Sequence, residues 1–126
     1  MKKSWVLAMV GVALSCSLAG CATPSRFEWG GYEGALYAYA KKPGLRDNYR
    51  QALVKAVDDG NRTHRLAPGL QAELGYLALE DGDTVGAVRF FEAEIQAFPE
   101  SRSFLKGVIA RAKGQAPSNK AAGTVS

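Results

Sequence analysis

The chain has 126 residues, 47% of them hydrophobic and 22% charged, with a formal net charge of +4. That suits one small domain, is too apolar for a disordered protein, and contains none of the repeated long runs of a multi-span membrane protein. Two cysteines and one histidine leave little material for a metal site, a thiol pair or a Ser/His/Asp device, so no metal, no cofactor and no catalytic residue is expected.

The chain opens with Lys2 and Lys3, followed by an uncharged stretch from Trp5 to Leu18. A basic start and an apolar run of this length are the layout of a secretory signal peptide. A spanning helix needs roughly 20 apolar residues, so the run is short for that. Leu18-Ala19-Gly20-Cys21 then resembles the lipobox of bacterial lipoproteins. The resemblance implies that residues 1–20 are removed and that the Cys21 thiol takes a diacylglycerol, with an acyl chain added to the new amino group. One chain, at about 0.8 kcal/mol per buried CH₂, binds a membrane only marginally, whereas two or three bind it effectively for good. Cys16 leaves with the leader, so the mature chain holds no pair for a disulfide. Losing Lys2 and Lys3 takes the basic count from 16 to 14 against 12 acidic residues, a net charge of about +2. The pI of 9.2 therefore overstates how basic the working protein is, and nucleic acid is excluded as a partner by charge and compartment. Ala22, rather than an aspartate, follows the cysteine. By resemblance to the sorting rule of enteric bacteria, this favours the periplasmic face of the outer membrane.

Residues 21–26 read as the lipidated cysteine and a short tether, reaching roughly 20 Å at most. Residues 27–113 read as the folded domain. Residues 114–126 hold no large apolar residue except Val125 and read as a disordered tail.

Inside the domain the period is helical throughout, and no sheet is expected. Tyr32, Leu36 and Tyr39/Ala40 share the face of a first helix, closed by Lys41-Lys42-Pro43-Gly44, where cations suit the helix end and Pro-Gly cannot continue it. Leu45, Tyr49, Ala52/Leu53 and Ala56/Val57 form a second amphipathic face. Asp58 and Asp59 suit a helix C-terminus badly, with Gly60 or Asn61 supplying a left-handed stop and 61–68 a basic loop. Pro68 opens a third helix with the stripe Leu70, Leu74, Leu77 and Ala78. Glu80-Asp81-Gly82-Asp83 turns the chain, and Asp83 caps a fourth helix with Ala87, Phe91, Ile95 and Phe98 on one face. Ser101 caps a fifth, with Phe104/Leu105, Val108/Ile109 and Ala112 apolar. The fold class is therefore all-α, with about five helices in short antiparallel pairs.

Leu74-Gly75, Gly82-Asp83, Ala87, Phe91 and Pro99 resemble one tetratricopeptide repeat, spacing included. Small residues at Gly75 and Ala87 let two helices approach while Phe91 fills the wedge beside them. Two positions depart from the pattern: Gln71 stands for an aromatic and Glu94 for a small residue. The fifth helix reads as a lid over the repeat's open end.

Phe27-x-Trp29-Gly30-x-Tyr32, Leu36-Tyr37-x-Tyr39-x-Lys41-x-Pro43, and the repeat from Pro68-Gly69 to Pro99-Glu100 are similar to a family of small bacterial lipoproteins of unassigned function. In genomes such lipoproteins tend to accompany a lipoprotein resembling the curli-secretion pore. The resemblance implies an accessory subunit of an outer-membrane assembly, with a protein partner in the envelope, and supplies no catalytic residue. The alternative is a lipoprotein activator of a peptidoglycan synthase. A domain near 90 residues has a radius of gyration of roughly 12 Å, so an inner-membrane synthase would have to stretch outward to meet it. A glycan-cleaving enzyme is the third reading.

His64, in a basic loop, reads as solvated. Glu73, Glu80, Glu92 and Glu94 could supply a carboxylate pair for glycan cleavage, but their helix positions read as polar faces. Gly30-Gly31 and Gly34 lack the Lys-Ser/Thr of a phosphate loop. Trp29, Tyr32, Tyr37 and Tyr39 read as packing for the first helix, or as an aromatic platform for a partner. The repeat pattern implies a groove lined by Ala72, Tyr76, Leu79 and Glu80, joined by Ser103, Lys106 and Lys113 from the lid.

Overall fold

The computed structural model describes residues 25–115. The leader, Cys21 with its lipobox, and residues 116–126 lie outside the described residues. Five α-helices follow one another: α1 Tyr32–Lys41, α2 Arg46–Thr63, α3 Leu70–Glu80, α4 Thr84–Ala97 and α5 Arg102–Gln115, with 3₁₀ turns at Pro43–Leu45 and Pro99–Ser101. The fold is all-helical, and among the described residues the one β feature is an isolated bridge between Glu28 and Leu66. Each helix packs on its neighbours in sequence.

The periodic faces form the core. One cluster joins Tyr49, Leu53, Ala56 and Val57 of α2 to Ala67, Leu70, Leu74 and Leu77, with Phe27, Trp29, Tyr32 and Tyr39 packed against it. The other joins Ala78, Ala87 and Phe91 to Leu105 and Val108, with Ala72, Leu79 and Ile95 at its edge. Phe90 touches both. Burying a side chain such as Leu53 or Phe91 contributes about 1.5–3 kcal/mol.

α1 ends as its sequence dictates, with Lys42 extended and its N–H on the Ala38 and Tyr39 carbonyls. α2 runs a turn further than expected. Lys55 and Arg62 both bond the Asp59 carboxylate and offset its charge near the helix end, while the Thr63 hydroxyl donates to the Asp59 carbonyl at 2.8 Å. The left-handed stop is neither Gly60 nor Asn61 but His64, at φ 55, and Arg65 N–H closes on the Gly60 carbonyl at 2.9 Å. Gly60 is helical and serves a close approach instead: a Cβ there would lie 2.7 Å from the Leu66 Cα.

Pro68 and Gly69 form the turn before α3 rather than its first turn. Gly69, at φ 92, is the N-cap and has no side chain to offer. Its N–H instead donates to Glu94 Oε1 of α4 at 2.6 Å, so the cap comes from across the fold. The α3–α4 turn follows the expectation. Gly82 takes φ 79 and the Asp83 carboxylate accepts the Gly86 N–H at 2.8 Å. Gly75 meets Phe91 so closely that a Cβ would stand 2.6 Å from the ring, the small-against-aromatic packing that the repeat pattern requires. Ser101 does not cap α5. It lies in the 3₁₀ turn and its hydroxyl donates back to the Phe98 carbonyl at 2.7 Å. α5 carries Gly114 and Gln115, so the helix runs two residues into the segment read as tail.

At the other extremity Ser25, inside the segment read as tether, is held by the fold. Glu28 N–H donates to the Arg65 carbonyl at 2.7 Å, and the Arg65 guanidinium donates to the Ser25 carbonyl at 2.5 Å. This strap ties the N-terminal segment to the α2–α3 connection.

Candidate interaction surface

Helix alternation sorts the connections to two ends. The strap, the α2–α3 connection and the α4–α5 turn share one, since Phe27, His64, Arg65, Ala97 and Phe98 line a single cleft there. The opposite end is closed by ionic contacts. Arg46 donates to the Leu77 carbonyl at 2.9 Å and to Glu80 at 3.1 Å, and pairs with Asp81 at 2.8 Å. Arg50 reaches the other Asp81 oxygen at 2.5 Å. The hydrogen bond from Arg50, aided by the charges of Arg50 and Arg46, holds the Asp81 carboxyl below the usual aspartate range. Hydrogen bonds from Lys55 and Arg62 do the same for Asp59.

Two of the four glutamates assigned to polar faces are not solvated. Glu73 is half-buried, with one oxygen taking the Tyr32 hydroxyl at 2.6 Å and the other taking the Tyr49 hydroxyl. The position of the glutamate beneath the α1 rings explains this. Burial, then the hydrogen bond to Glu73, raise the Tyr32 hydroxyl well above its ordinary value of 10.0. Glu94 is 2% exposed. Capping Gly69 draws it inward, and its Oε2 has no hydrogen-bond partner among the described residues. Glu80 is exposed but claimed by Arg46, and Glu92 is exposed beside α5.

The aromatics divide. Phe27, Trp29, Tyr32, Tyr49 and Tyr39 form a continuous path of ring contacts with centroids 5.2–6.2 Å apart. Tyr37 lies outside it, 66% exposed, with Lys41 Nζ 5.5 Å from its centroid. His64 is exposed, as read.

The implied groove residues do not share one cleft. Lys106 and Lys113 line an open cleft of about 590 Å³ between α4 and α5, with Glu92, Ile95, Gln96, Ile109 and Ala110. Ala72 lines a second cleft, of about 370 Å³, with Pro68, Gly69, Glu94, Phe98, Glu100, Ser101, Phe104 and Leu105. Tyr76 is half-exposed with its ring edge-on to Phe91 at 5.2 Å. Leu79 is packed against the second core cluster, and Ser103 is exposed without lining either cleft. The residues missed were Ile95, Ile109, Phe98 and Phe104. Phe104 carried a signal: Leu105, Val108 and Ala112 alone form the buried stripe of α5, which places the neighbouring ring off it.

Among the described residues no three of His, Cys, Asp or Glu gather where they could hold a metal ion, and no helix is long and apolar enough to cross a membrane. The described residues form a small all-helical fold of five helices, each packed on its neighbours in sequence, with the last helix flanked by open surface. Residues 27–108 match the family described as Domain of unknown function (DUF4810), and the chain belongs to that family. No curated protein and no solved structure matches it.

Proposed function

We propose that the protein is a lipid-anchored accessory subunit, attached through Cys21 to the periplasmic face of the outer membrane, that binds another protein of an envelope assembly. A lipoprotein resembling the curli-secretion pore is the first candidate partner. The observation that carries the binding role is the pair of open clefts on either side of α5, each with apolar walls and charged residues. In the larger one, Ile95, Ile109 and Ala110 offer apolar contact while Lys106 and Lys113 are placed to meet a partner's carboxylates. Anchoring rests on the Leu18-Ala19-Gly20-Cys21 string and the apolar run before it. Glycan cleavage has less in its favour. Glu73 is committed to two phenols, and Glu94 presents one oxygen to Gly69 and encloses the other.

Crosslinking in intact cells followed by purification tests the reading, with Cys21→Ser as the control for anchoring. Recovery of a pore-like lipoprotein, lost with Ile109→Asp and Lys106→Glu, is the expected result. Loss with Tyr76→Ala instead would move the docking face to α3, and recovery of a peptidoglycan synthase would favour the activator reading. A processed chain free of fatty acid by mass spectrometry would remove the anchor.

A further inference from the structure

Glu94 occupies a position where the repeat pattern calls for a small residue, and capping Gly69 uses only one of its oxygens. The other is enclosed and unmatched among the described residues. An unmatched buried carboxylate oxygen is costly and uncommon in folded proteins. Glu94 also lines the smaller cleft, whose walls include Pro68, Phe98 and Phe104 and which holds a second carboxylate, Glu100. Glu100 is exposed and Phe104 is 63% exposed. No lysine, arginine or histidine is among the residues lining this cleft.

We propose that this cleft receives one basic side chain, a lysine or arginine, from the protein partner. The proposal deepens the accessory-subunit reading and rests on it for the partner. Lysine and arginine bury their aliphatic stems on apolar surface while keeping the charged head with polar groups. Here Phe98 and Phe104 take the stem, and Glu100 and Glu94 take the charge. A cation seated beside Glu94 offers the unmatched oxygen a charge-assisted hydrogen bond. Gly69 N–H is bonded to the same carboxylate, so that amide reports occupancy. The aromatic faces add attraction for a guanidinium.

The test is a titration of the ¹⁵N-labelled full chain with n-butylguanidinium chloride, following backbone amide shifts, with n-butanol and potassium chloride as controls. Saturable shifts are expected at Gly69 and Phe104 with butylguanidinium only. Glu94→Gln, which keeps an acceptor for Gly69, weakens binding about tenfold, the effect of one charge-assisted hydrogen bond. Glu100→Gln gives a second variant, remote from the core, that also weakens it. Shifts that do not saturate, shifts matched by butanol, or an unchanged affinity in both variants would overturn the proposal. The titration needs neither anchor nor partner. Binding with a failed crosslinking experiment would leave the cleft standing and remove the subunit reading, and the converse pair of results would do the opposite.

Discussion

Around Tyr49, rings and a shared carboxylate fill the space between α1, α2 and α3, whereas around Phe91 the helices close on side chains as small as glycine and alanine. The first region is matched by directed hydrogen bonds, which specify partners but tolerate some looseness between the helices. The second is matched by volume, which tolerates neither addition nor removal of atoms. The two regions should therefore respond differently to substitution.

The largest effect belongs to the close-packed side. Phe91→Ala should cost about 3–5 kcal/mol in urea denaturation, and Gly75→Ala about 1–3 kcal/mol, because the added Cβ meets the ring. Combining Gly75→Ala with Phe91→Leu should cost less than the two separately, since the smaller side chain gives the Cβ room. Strict additivity would show that the contact does not control this half. On the aromatic side, Glu73→Leu should cost about 1–3 kcal/mol, as it strands the hydroxyls of half-buried Tyr32 and buried Tyr49. Tyr32→Phe, which leaves one Glu73 oxygen unmatched but keeps the Tyr49 bond to the other, should cost less than Glu73→Leu, and the reverse order would show that ring packing alone holds α1.

Alkaline titration sharpens the same contrast. The Tyr32 hydroxyl is raised above 10.0 in the fold, so the folded chain keeps a proton that the unfolded one sheds. Its contribution to stability is complete below pH 10 and is lost as pH rises beyond it. Tyr32→Phe should flatten that alkaline decline without changing the response of the Phe91 side. The smallest effect lies at the ionic end. The Asp81 carboxyl is lowered by Arg50 and Arg46, so its contribution is present above the ordinary aspartate range and fades as acid protonates it in the fold. Asp81→Asn should produce only a small decrease in stability, confined to low salt, because the pair is solvent-facing.

The helices were legible because burial on one face imposes a 3.6-residue period, and Leu53, Leu74, Phe91 and Leu105 all fall on it. The Asp83 cap was legible because its partner, Gly86, is three residues away. What remained hidden depends on distant partners. Glu73 reads as polar surface until Tyr32, 41 residues earlier in the chain, lies over it. Glu94 reads the same way until Gly69 N–H, 25 residues earlier, needs an acceptor. The helix end misplaced at Gly60 turned on Lys55 and Arg62 offsetting Asp59, a balance that composition hides. The candidate surface was half visible. Lys106 and Lys113 are seven residues apart and share a cleft, but nothing local announces that Arg46 takes Glu80 away.

The strap decides how the protein would bear a pull. If the N-terminus were held and α5 pulled, the bonds by which the Glu28 N–H and the Arg65 guanidinium hold the segment to the α2–α3 connection would be among the first loaded. Those bonds are loaded in series with the helices rather than shared among them, so tension would peel residues 25–28 away while the stack behind them stayed folded. The segment would then act as a short extensible leash, lengthening the reach of the domain by about 13 Å before any helix opened.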